Sequence, residues 1–120
     1  MPPNDAGDDG PADDLRLCEL VITAPDADAL AGLSRDLLDQ RLVACGHHIE
    51  LIRSIYRWDG AIEHGIEARV NLHTRRDLVP AIVERVKARH PYDVPCVLAL
   101  PVVAGNPDYL DWVVAETRTP

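Results

Sequence analysis

The order of residue patterns along this chain predicts an α+β fold: a split βαβ sandwich with an antiparallel sheet, a long central hairpin and a short C-terminal helix. Three observations predict it. Residues 61–74 alternate, with Ile66, Ala68, Val70 and Leu72 facing one way and Glu67, Arg69, Asn71 and His73 the other, the period of a strand with one buried face. Asp59-Gly60, just before that stretch, is a strong hairpin turn. Two stretches with apolar residues at helical spacing each lie between strand-like runs, so the chain reads strand, helix, strand, strand, helix, strand, and then a last helix.

Each element has a local cause. Residues 1–14 hold five aspartates and no branched aliphatic or aromatic side chain. Such a segment has nothing to bury and repels itself, so it is expected to be a disordered acidic tail, leaving 15–120 as one domain. Leu15 to Thr23 alternates and then runs apolar, as a central strand does. Pro25 ends it, and Asp26 is placed to cap a helix carrying Leu30, Leu33, Leu37 and Leu38. Leu42 to Thr74 then forms a hairpin bent at Trp58-Asp59-Gly60, with arms far longer than the usual strand of roughly five or six residues. A domain this small cannot cover so long a hairpin, and the predicted cover is another copy of the chain. Asp77 is expected to cap a second helix with Leu78, Ile82, Val83 and Val86 inward and Pro80 in its first turn, where no intrahelical donor is lost. His90-Pro91 ends that helix. The final strand, Pro95 to Val103, carries Pro101 and is therefore placed at a sheet edge. Asn106-Pro107-Asp108 opens the last helix, whose apolar side is Tyr109, Leu110, Trp112 and Val113. The whole order is the ferredoxin-like arrangement.

Charge and composition narrow the function classes. The 120 residues carry a net charge of −8, which falls to −3 without the five tail aspartates. No basic face for nucleic acid or an anionic membrane is expected. The chain has no Phe, so the core must come from Leu, Val, Ile and Ala. Cys18, Cys45 and Cys96 are odd in number and lie in strand-like apolar runs, with Cys18 and Cys96 reading as strand core. That pattern suits buried thiols in a reducing compartment better than a disulfide framework. No leader pattern and no apolar run of about 20 residues is present, so a soluble, cytoplasmic protein is expected.

For catalysis the sequence offers no Gly-x-Ser-x-Gly, no phosphate-binding glycine loop and no dinucleotide fingerprint. It is read as a non-enzyme that requires no cofactor. Metal chemistry has more to rest on. His47 and His48 are adjacent on a strand and point to opposite faces, whereas Cys45 and His47 share one. A thiolate beside an imidazole suits Cu(I) or Zn. The plainer alternative is a buried thiol next to a surface or interface histidine, because structural zinc sites have four ligands at recognisable spacing. His73 reads as part of a polar ladder and His64 as an exposed residue near the turn. Five aromatic residues exist. Tyr56 and Trp58 lie at the hairpin tip, Tyr92 in a loop, Tyr109 and Trp112 on the last helix. They read as subunit-packing residues or as the lining of a ligand pocket between subunits.

Six blocks carry a family resemblance: Thr23-Ala24-Pro25-Asp26; Arg41-Leu42-Val43-Ala44-Cys45; Ser54-Ile55-Tyr56-Arg57-Trp58-Asp59-Gly60; Thr74-Arg75; His90-Pro91-Tyr92-Asp93-Val94-Pro95; and Leu100-Pro101-Val102-Val103-Ala104-Gly105-Asn106-Pro107-Asp108-Tyr109-Leu110-Asp111-Trp112. In this order and spacing, from about Leu17 to Thr117, the chain resembles the CutA divalent-cation-tolerance family. The resemblance implies a ferredoxin-like fold, a homotrimer built by β-pairing between subunits, and a role in tolerance to metals such as copper. It also implies a copper constellation that some members carry: a Cys before Thr-Ala-Pro-Asp and His-His before Pro-Tyr. Here those positions are Ile22, Arg89 and His90, so His90 alone is retained and joins Cys45 and His47 as a candidate ligand. His73 stands where a Lys is usual, and Cys96 where a Glu is usual. A trimer of this kind also resembles the PII-type signalling proteins, which makes a small-molecule sensing module the alternative function class.

Overall fold

The computed structural model describes residues 16–120, so the tail expected at 1–14 lies outside the described residues. The elements are β1 (Leu17–Ala24), α1 (Ala27–Asp39), β2 (Cys45–Trp58), β3 (Ala61–Arg75), α2 (Val79–Arg89), β4 (Val97–Pro101) and α3 (Pro107–Glu116). The strands form one antiparallel sheet in the order β2-β3-β1-β4. The predicted α+β architecture is therefore present, with β4 at an edge.

Asp26 caps α1 by accepting the Ala29 N–H at 2.8 Å. Leu30, Leu33 and Leu37 of α1 are buried against the sheet, while Leu38 sits at the margin, 40% exposed. The helix ends with Leu42 N–H donating to the Leu37 carbonyl and Arg41 N–H to that of Leu38, both at 3.0 Å. This Schellman-type closure puts Arg41 in the left-handed region at φ 56°. Leu20, Ile22, Val70 and Leu72 face α1 and α2 and join one apolar core with Ile82 and Val86. The bidentate bond from Arg85 to Asp36, 2.7 and 2.8 Å, ties the two helices together.

The hairpin turns at Asp59 and Gly60, whose φ values of 51° and 79° are those of a type I′ turn. From Trp58↔Ala61 to Ile52↔Glu67 its ladder is regular, and then a bulge between Ile49 and Ile52 shifts the register to Ile49↔Arg69. Beyond the bulge Gly46 lies over Leu72. A Cβ there would come within 2.8 Å of Leu72 Cδ2, so any larger residue has to displace the Leu72 side chain.

Three expectations are corrected. Asp77 does not cap α2: both of its carboxylate oxygens take the Arg75 guanidinium, at 2.7 and 3.0 Å. A 3-10 turn over Arg76–Leu78 leads into the helix instead, and Leu78 occupies the cap position without a side-chain bond. The last strand is shorter than predicted, and Cys96 lies one residue before it, exposed rather than in the core. The sheet face away from α1 and α2 carries α3, which buries Val113 and is held by Arg41 Nη2 donating to the Ala115 carbonyl and Arg118 N–H to the Arg41 carbonyl, both at 2.9 Å.

Among the described residues, the far half of the hairpin stays largely uncovered. β1 pairs with β3 only from Ala68 to Arg75, so residues 61–67 are hydrogen-bonded on one side alone. Leu51, Ile55, Ile62 and Ile66 are exposed there, Leu51 by 72%. No helix among the described residues is long and apolar enough to cross a membrane.

Candidate metal centre

One row across the sheet sets the centre. Cys45 on β2 pairs with His73 on β3, His73 with Glu19 on β1, and Glu19 with Leu100 on β4. Paired residues point to the same face, here the one that carries α3. His47, two residues along β2, comes to the same face. The ligand atoms of Cys45, His47 and His73 all lie within 4.8 Å of one another. Cys45 Sγ and His73 Nδ1 are 3.5 Å apart, and the His47 and His73 rings meet edge to face with centroids 5.3 Å apart.

Two further groups fix the histidine. His73 Nε2 lies 2.8 Å from Glu19 Oε2. An ionised carboxylate only accepts, so Nε2 carries the proton and Nδ1 presents its lone pair toward Cys45. The Tyr109 hydroxyl, from the first turn of α3, is 2.5 Å from Nδ1 and 3.0 Å from Sγ. The phenol's single proton lies between these two neighbours, Nδ1 and Sγ. Burial first, and then the hydrogen bond with Cys45, hold the Tyr109 pKa well above the usual phenol value. Trp112, one turn further on, packs against Tyr109 at 5.6 Å.

The donor set fits a soft or borderline ion. A tetrahedral ion bound at about 2.3 Å to sulfur and about 2.0 Å to an imidazole nitrogen holds these atoms about 3.5 Å apart, the separation found between Cys45 and His73. Cys18 has no such role: burial in the core pushes its thiol up to about 11.

The other predicted site residues lie elsewhere. His90 is buried and stands outside the cluster. Its Nε2 donates to the Thr23 carbonyl at 2.7 Å and its Nδ1 accepts the Tyr92 N–H at 3.0 Å, so both ring nitrogens are engaged. The five aromatics do not form one group. Tyr92 donates to Glu67 Oε2 at 3.0 Å, on the outer face near Tyr56, and burial followed by this bond raises its pKa to about 12. Trp58 is exposed at the tip, and Tyr109 and Trp112 border the cluster. Sequence reasoning found Cys45 and His47 together but missed His73 and Glu19. The one signal for them is the strand register, which places them opposite Cys45.

The chain is similar to known proteins over most of its length. The family model described as CutA1 divalent ion tolerance protein matches residues 18–116. A mouse protein named Protein CutA is 44% identical over 98 residues, covering 82% of this chain and 55% of its own. The Divalent-cation tolerance protein CutA of Thermus thermophilus is 38% identical over 98 residues, covering 82% and 95%. This chain therefore spans about half the length of the mouse relative and of a rice one, Protein CutA 1, chloroplastic. Among solved structures, CutA1 from Oryza sativa superposes with a TM-score of 0.84 at 36% identity, covering 87% of this chain and 95% of that one. The Thermus thermophilus protein Cut A1 does so with 0.83 at 36% identity, covering 85% and 99%.

Proposed function

The chain belongs to the CutA1 divalent ion tolerance family, and from that premise we propose that it serves metal tolerance by binding copper or zinc ions directly, as a cytoplasmic homotrimer without catalysis. The observation that carries this reading is the convergence of Cys45, His47 and His73 within 4.8 Å on one sheet face. A thiolate with two imidazoles prefers soft and borderline ions to magnesium or calcium. The three cysteines are free, and a thiol ligand needs the reducing surroundings of a cytoplasm. Support for self-association comes from the hairpin, where among the described residues β3 has an unpaired edge over 61–67 beside exposed Ile62 and Ile66.

Titration of the reduced protein with Cu+ and Zn2+, alongside Cys45→Ser, tests the reading. One high-affinity ion per chain, lost in the variant, is expected. Equal binding by both proteins would sink it.

A further inference from the structure

We propose that Tyr109 is the fourth donor of this centre and that Glu19 is the positioning residue for His73, making a closed four-coordinate site for a divalent ion of the zinc type. The inference rests on the metal reading above and extends it to the outer partners and the class of ion.

Closure follows from where the phenol stands. The Tyr109 oxygen is the one further side-chain donor in hydrogen-bond reach of both Cys45 Sγ and His73 Nδ1 among the described residues, at 3.0 and 2.5 Å. An ion between thiolate and imidazole meets it at bonding range after an outward shift of less than about 1 Å, since tetrahedral donors sit about 3.3–3.6 Å apart. A divalent cation, the largest local charge in such a site, displaces to solvent both the thiol proton and the phenol proton that burial otherwise holds on Tyr109, which a monovalent ion does less well. A monovalent copper ion gains less from a hard oxygen donor. Glu19, accepting from His73 Nε2 at 2.8 Å, reproduces the carboxylate–histidine–metal relay that fixes tautomer and ring orientation. Three elements of the fold thus meet on one ion: β2 gives Cys45 and His47, β3 gives His73, and α3 gives Tyr109.

Co2+ is the probe, because its visible spectrum reports coordination and Zn2+ displaces it. The wild-type protein should show the intense visible bands of tetrahedral Co2+ with sulfur-to-metal charge transfer. Tyr109→Phe should bind Co2+ at least tenfold more weakly and with changed visible bands. Glu19→Gln should lose about tenfold in affinity while keeping the wild-type spectrum, because the donors are unchanged. Zn2+ added to the wild-type protein should also raise the ultraviolet difference signal of a tyrosinate, a readout independent of how any variant folds. Unchanged affinity and spectrum in Tyr109→Phe, tighter binding by it, or no tyrosinate signal overturns the fourth-donor assignment. Unchanged affinity in Glu19→Gln overturns the positioning role. If Cys45→Ser takes up Co2+ as the wild type does, the centre itself fails, a result distinct from failure of Tyr109 alone.

Discussion

Cys45 and His73 face each other across the β2–β3 ladder with Sγ and Nδ1 3.5 Å apart, and the row continues through the histidine to Glu19. Their strands also carry His48, which shares the other face with Gly46. His48 is thus an internal control for His73.

His73→Ala should weaken Zn2+ binding by more than about 100-fold, since loss of an outer-shell partner alone costs 10–100-fold. His48→Ala should leave it unchanged. Competition against a chelating indicator measures both, and equal losses would show that no face of the sheet is special.

Gly46→Ala should cost about 1–3 kcal/mol of stability, because the added methyl meets Leu72 Cδ2 at 2.8 Å and Val70 Cγ2 at 3.2 Å inside a packed core. At Gly65 a Cβ meets nothing nearer than Tyr56 Oη at 4.0 Å, so Gly65→Ala should be neutral within about 0.5 kcal/mol. Urea unfolding of the two variants gives the comparison.

The Arg85 hydrogen bonds, followed by its charge and that of Arg89, outweigh desolvation and hold the Asp36 carboxyl below its ordinary value. A carboxylate whose folded pKa is depressed adds stability above its unfolded pKa of about 3.9, and that contribution vanishes as pH falls through the folded value. Arg85 is 39% exposed, so solvent screening keeps the pair's contribution small. Asp36→Asn should therefore be slightly less stable than the wild type near pH 7 and indistinguishable from it in strong acid. Chemical denaturation at the two pH values checks the difference.

Ile62 and Ile66 share one face of the hairpin beyond the reach of β1, exposed by 62% and 56%. Replacing both with Glu should convert the proposed trimer into a species of one chain's mass, as read by sedimentation velocity at micromolar concentration. A wild-type protein that already sediments as a lone, folded chain would remove the basis for the assembly.

How much of this was legible in the sequence follows from the range of each cause. The Asp59-Gly60 hairpin turn, the Asp26 cap and the first-turn Pro80 are local and legible directly. The Asp77 cap failed because a neighbouring arginine competed for the carboxylate. The row through His73 was hidden by the bulge. Counting outward from Trp58↔Ala61 along a regular ladder sets Cys45 opposite Thr74, which points into the core, and only the shift between Ile49 and Ile52 restores His73. The place of Tyr109 was beyond reach for a different reason: nothing in its own helix says which sheet face that helix will cross.

Arg41 occupies a backbone conformation that suits glycine, yet its long side chain and its carbonyl reach the far end of α3. The clasp ties the segment after Glu116 to the helix that carries the Tyr109 phenol. Tags or truncations placed after Glu116 are therefore not neutral handles: they act beside the proposed ion site while leaving its strands untouched.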